Sequence, residues 1–186
     1  ILFFIVSNLR IPFTKTISLD RTLKLSLELS LKHGDLLFGH RKGYFKNLIV
    51  PGQYQHVGVW DGKRKLVLEM QNDGGEENPI EVFCSRYTNI GGARPKTFTE
   101  EYTEYFIENM KIEMYKPYDN KLSFNTKSVY CSESVFRSDT KGFLEYQPTK
   151  WFWLWVLIPD KLFNLSTVKK ILTIEVMRGH LSWTRM

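Results

Sequence analysis

The stretch YQHVGVWDGKRKLVLEM, residues 54–70, holds two runs of alternating apolar residues joined through Asp61-Gly62. Alternation with a period of two sends successive side chains to opposite faces of a strand. Asp-Gly between two such runs predicts a β-hairpin. Its register decides what the strands bring together. With a two-residue turn, paired residues sum to 123, His56 faces Val67, and Glu69 is its diagonal neighbour. With a four-residue turn, His56 and Glu69 pair directly. Either even-length loop keeps imidazole and carboxylate on one face, at a diagonal Cβ separation of roughly 7–8 Å or less. Only an odd-length loop separates them. A carboxylate accepting from one ring nitrogen fixes the tautomer and raises the basicity of the other, as a general base requires. Alone, such a pair on a strand is more often structural than catalytic.

The stretch SVYCSESVF, 128–136, supplies a third group. Ser128 reads as an N-cap, which puts Cys131 in the first helical turn. There the backbone N–H groups and helix dipole favour a thiolate. Beside an imidazolium, a thiol at such a position falls from about 8.5 into a range of roughly 3.5–7.5. A free cysteine is otherwise usually a small buried hydrophobe. That plain reading is kept for Cys84, in the alternating run IEVFCSRY (80–87), which reads as a strand.

Working outward, the chain has an α+β order. Residues 17–32, ISLDRTLKLSLELSLK, carry leucines at alternate positions, yet their composition also suits a helix, so this element stays open. HGDLLFGH predicts a turn and a short strand, followed by a long polar loop, RKGYFKNLIVPGQ. GGARP reads as a break, and TEEYTEYFIENMKIEMY as a helix with Thr99 at its N-cap. WFWLWVLIP (151–159) reads as a buried aromatic strand, or alternatively as a lipid- or substrate-facing patch, since it is far short of a membrane span. A final strand is predicted near 171–177.

At 186 residues, 42% hydrophobic and 15% aromatic, the chain suits a single domain with a proper core, residues 1–32 being an N-terminal extension of open structure. The net charge of +6 and pI near 9.2 suit an anionic partner. Lys and Arg are nevertheless interleaved with Asp and Glu, which describes a solvated mixed surface. Two cysteines make no disulfide framework and no zinc or redox pattern. His33, His40 and His180 are scattered without ligand spacing, so no metal or other cofactor is expected. ILFFIV at the start resembles the end of a signal or anchor segment, which would place the protein in the cell envelope or outside it; a first strand explains it as well.

In joint order, HGDLLF (33–38), YQHVGVW (54–60), LEM (68–70), KPYD (116–119) and YCSESVF (130–136) resemble the YiiX/YebB-like branch of the NlpC-type, circularly permuted papain-like proteins. The resemblance runs from about residue 33 to IPDKL near 160. It implies a small antiparallel sheet or barrel packed against helices, with the histidine strand preceding the cysteine helix. It also implies Cys131 as nucleophile, His56 as its base and Glu69 as the residue orienting His56. Tyr118 matches a tyrosine beside the cysteine and is assigned to substrate binding or the oxyanion, with Tyr130 beside it and the Cys131 N–H as a second donor. Asp35 matches a structural signature. Tyr115 stands where relatives tend to have glycine and Ser134 where they tend to have leucine; neither removes a catalytic group.

The expected activity is a cysteine hydrolase or acyltransferase, acting through a thioester on an amide or ester of peptide, cell-wall or lipid origin. The rival is a catalytically silent module on the same fold, binding a membrane surface or a partner through its basic surface and aromatic run. A nucleic-acid partner is not expected, because no binding motif or basic stripe accompanies the pI. Oligomeric state has no signal in the sequence.

Overall fold

In the computed structural model, which describes residues 16–42, 52–124, 127–151, 154–177 and 180–186, strand β1 (Leu36–His40) lies inside a seven-stranded antiparallel sheet. The sheet order is β4 (Gly74–Pro79), β3 (Leu66–Gln71), β2 (His56–Asp61), β1, β5 (Asn89–Pro95), β8 (Val168–Met177) and β9 (His180–Arg185). The helices are α1 (Arg21–Ser30), α2 (Ile80–Ser85), α3 (Glu100–Met114), α4 (Cys131–Ser138) and α5 (Pro159–Phe163). A separate hairpin joins β6 (Thr149–Trp151) to β7 (Leu154–Val156). The apolar N-terminal stretch and residues 43–51 of the polar loop lie outside the described residues.

Both faces of the sheet are covered, as strand alternation requires. Leu36, Phe38, Val57, Val59, Leu68 and Met70 pack with Phe106, Met110 and Val135 of α3 and α4. Leu37, Trp60, Val67 and Ile90 pack on the other side with Leu27 of α1 and Phe83 of α2. Each such side chain withdrawn from water contributes roughly 1.5–3 kcal/mol. Helix α3 begins as the sequence predicts: Thr99 accepts from the Tyr102 N–H at 3.1 Å, a cap that contributes about 1 kcal/mol.

The open element at 17–32 is a helix, capped by Asp20 accepting from the Leu23 N–H. Leu27 is buried whereas Leu25 and Leu29 face solvent, so the alternating leucines do not mark a strand. The hairpin differs from a two-residue Asp-Gly turn. Asp61 pairs with Leu66 as the last strand residue, leaving a four-residue loop at 62–65, one position later than the register that would pair His56 with Glu69 directly; Glu69 pairs with Gly58 and is the diagonal neighbour of His56. The buried Asp61 carboxylate organises that loop by accepting from the Lys63 and Arg64 N–H groups and from Arg64 Nε.

Three local readings are overturned by packing. IEVFCSRY is not a strand; Ile80, Phe83 and Cys84 form the buried face of α2. GGARP is not a break but part of central strand β5. Glycine is required there because a Cβ at Gly91 would stand 2.6 Å from the Tyr54 hydroxyl and 2.9 Å from the Phe163 ring. The aromatic run is not one buried strand: it divides among the end of β6, β7 and the start of α5, Trp155 is 57% exposed, and Val156, Leu157 and Ile158 are buried.

Candidate active site

Cys131 is the first residue of α4, and Tyr130, not Ser128, occupies the N-cap position without a side-chain cap bond. The first intrahelical bond, Ser134 N–H to Tyr130 carbonyl, spans the cysteine at 2.9 Å. The thiol therefore sits at the positive end of the helix, as its sequence position predicts. Ser134 occupies a fully buried slot and donates to the Cys131 carbonyl at 2.7 Å. Tyr115, the other departure from the family pattern, is the exposed C-cap of α3.

His56 opens β2 on the face that carries Trp60, whereas Val57 and Val59 point to the core that holds Cys131. Thiol and imidazole thus come from opposite sides of the sheet and meet where the strand begins, joined by a side-chain hydrogen bond. The ring's Nε2 donates to Glu69 Oε2 at 2.8 Å, which leaves Nδ1 for the sulfur. Burial is the largest single influence on His56 and opposes its charge. The Cys131 sulfur and the Glu69 carboxylate together outweigh it and raise the imidazole to about 9.

Glu69 has no exposed surface, and its oxygens accept from four side chains: His56, Gln71, Asn78 and Arg86. Burial pushes the carboxyl up, and these partners, His56 foremost, more than reverse it, so the net shift is downward. The His56 ring is steadied from one side by Tyr87, stacked with centroids 5.7 Å apart and planes at 19°. Tyr87 also hydrogen-bonds Gln71, tying the stack to the carboxylate's own ligand. Gly39 leaves room for that ring, because a Cβ at residue 39 would fall 2.6 Å from Tyr87 Cε1.

The two tyrosines assigned together diverge. Tyr118 is held beside α4 by backbone pairing: Val129 N–H donates to the Pro117 carbonyl and Asp119 N–H to the Val129 carbonyl. Burial raises its phenol strongly, and the nearby Cys131 charge adds to the shift. Tyr130 instead turns its hydroxyl inward, accepting from the Leu157 N–H at 2.8 Å with the ring buried. Its side chain anchors the segment after β7. Asp35 is structural: it accepts from the Lys32 N–H and from Arg94 through both oxygens. Cys84 is fully buried in α2, and burial pushes its thiol well up.

Sequence reasoning missed Gln71, Asn78, Arg86, Tyr87 and Gly39. Gln71 had a weak signal, being two residues from Glu69 on the same strand face. Asn78 reaches the site through β4, Arg86 and Tyr87 through the turn after α2, and Gly39 through β1.

A histidine strand that precedes a cysteine helix, the two meeting at one end of the sheet, is the permuted papain-like arrangement. The chain belongs to the permuted papain-like amidase family YaeF/YiiX, C92, whose model matches residues 30–142. No curated protein matches it. The crystal structure of the metalloprotein yiiX from Escherichia coli O157:H7 has the same fold, with a TM-score of 0.64 and 16% sequence identity, covering 76% of this chain and 97% of that one.

Proposed function

We propose that the chain is a cysteine hydrolase or acyltransferase that cleaves an amide or ester, with Cys131 as nucleophile, His56 as base and acid, and Glu69 orienting His56. The observation that carries this reading is the bond from the Cys131 thiol to an imidazole whose other nitrogen is held by a fully buried carboxylate. The thiolate attacks the carbonyl carbon, forming the C–S bond, while the oxygen takes negative charge. The Tyr118 hydroxyl and the Cys131 N–H donate to that oxygen. The imidazolium gives its proton to the leaving amine or alkoxide as the C–N or C–O bond breaks. Water or another acceptor, deprotonated by His56, then attacks the thioester and releases the thiolate.

Membership of an amidase family favours an amide bond, in a peptide, a cell-wall fragment or a lipid-derived amide, with an ester as the alternative. The described part of the 1–32 extension packs Ile17, Leu27 and Leu31 into the cluster with Leu37, Trp60 and Val67 on one face of the sheet, which supports a single domain. The Escherichia coli relative is named a metalloprotein, but the residues here do not fit a metal. Among the described residues no group of three or more His, Cys, Asp and Glu is arranged as ligands. Glu69's oxygens, moreover, are already engaged by four donors.

A panel of activated esters and amides, with the adduct sought by intact mass, tests the proposal. A thioester adduct on Cys131 that forms in wild type and is lost in Cys131→Ala and His56→Ala supports it. No adduct and no turnover, together with liposome binding that survives Cys131→Ala, would favour a silent membrane-surface module. Exposed Trp155 is the observation behind that second reading.

A further inference from the structure

The fully buried Glu69 carboxylate stands between two cations. Oε2 serves His56, while Oε1 accepts from Arg86 Nη1 at 2.6 Å and Asn78 Nδ2 at 3.0 Å. Arg86, on the turn after α2, extends Nη2 to Glu76 Oε2 at 2.7 Å, and Asn78 Nδ2 reaches that same oxygen at 2.7 Å. One planar guanidinium thus joins a buried carboxylate at the candidate site to a part-exposed carboxylate on edge strand β4. The fixed fork of Arg makes this bridge directional as well as charged.

We infer that Arg86 is a positioning residue for the Cys131–His56 pair, and that the Arg86–Glu76 ion pair sets the potential in which that pair exchanges its proton. This rests on the reading of Cys131 and His56 as the reacting pair. Arg86 holds Oε1 so that Oε2 stays aimed at the ring. Its charge also draws on the same carboxylate that stabilises the imidazolium, and Glu76 takes back part of that charge.

The other groups near the carboxylate define the background. Gln71 on β3 is neutral, as are the buried Tyr87 and Cys84. Glu81 on α2 is tied to Lys24 of α1 at 2.6 Å. On the cysteine side stand Cys131 and the high-titrating Tyr118, with Asp119 behind it. Arg86 and Glu76 are the charged pair that touches Glu69 directly or through one atom group without belonging to the reacting set.

Removing the Arg86 charge makes the site more negative. A thiolate is then harder to form and an imidazolium harder to lose, so both midpoints move to higher pH. Removing the Glu76 charge moves both to lower pH.

The experiment follows Cys131 alkylation by iodoacetamide against pH, read by peptide mass, in wild type, Arg86→Gln, Arg86→Lys and Glu76→Gln, with Cys84 as internal control. Arg86→Gln is expected to raise the midpoint by roughly one pH unit, and Glu76→Gln to lower it by less. Arg86→Lys, which keeps the charge but loses the fork that bridges Glu69 and Glu76, shifts the midpoint less than Arg86→Gln. Unmoved midpoints, shifts of the same sign in Arg86→Gln and Glu76→Gln, or Arg86→Lys behaving as Arg86→Gln overturn the inference. Should Arg86→Gln fail to fold, the sign of the Glu76→Gln shift decides. An ordinary thiol midpoint in wild type itself removes the proposed function, and this inference with it.

Discussion

Glu69 stands opposite Gly58, two residues along the ladder from His56, yet its Oε2 lies 2.8 Å from His56 Nε2. A diagonal pair on one strand face can close to a hydrogen bond because the side chains lean along the strands. The carboxylate is thereby presented to the ring edge, leaving the opposite nitrogen for the thiol.

Cys131 should react with iodoacetamide well below pH 8, and His56→Ala should return its midpoint to an ordinary thiol value of about 8.5. Peptide-mass labelling checks both. The raised imidazole also predicts a stability profile. His56 has its pKa lifted from 6.5 to about 9, so its contribution is complete below about pH 6.5 and is lost as pH rises through about 9. Glu69 is depressed from 4.5, so its contribution is complete above that value and is lost as pH falls through its lower folded pKa. Denaturant midpoints measured across pH should fall on both sides, and His56→Ala should flatten the alkaline side.

Cys84 should remain unlabelled in the native protein across the same pH range. Burial comes first among the causes that raise its thiol, with the Glu81 and Glu69 charges adding to it. Label should enter only after denaturation, and native labelling of Cys84 comparable to Cys131 would contradict the packing of α2.

Tyr118→Phe and Tyr130→Phe should separate. The first removes a donor from the oxyanion and is expected to lower kcat by on the order of 10²-fold, with little change in KM. The second strips the Leu157 N–H of its acceptor inside the core and should destabilise the fold by about 1–3 kcal/mol. Kinetics paired with thermal unfolding of each variant distinguish the two roles.

Gly39→Ala should impair the site without touching a reacting group. The new methyl would meet the Tyr87 ring, which must shift and take its stacking partner His56 with it. Overpacking of this kind destabilises by roughly 1–3 kcal/mol. Activity should fall further than that loss explains, and a crystal structure of the variant should show the imidazole displaced.

By itself the sequence determined those features that rest on local geometry. Thr99 and the apolar spacing behind it specify α3, because capping and helical period act within one turn. The even loop after Asp61 placed His56 and Glu69 on one face whichever even register formed, because side-chain direction in a strand depends only on parity. Cys131 followed as a helix-start thiol even though the cap residue was Tyr130. Tertiary structure decided what local preference left degenerate or contradicted. Ile80, Val82 and Cys84 alternate like a strand, yet the slot under β3 and Tyr87 is filled by one helical turn carrying Phe83 and Cys84. Gly91 and Gly92 look like a break until Tyr54, Phe163 and Leu172 need the space above them. Arg86 and Asn78 converge on Glu69 from separate segments, and no pattern along the chain encodes a bond between residues that only the folded sheet brings together.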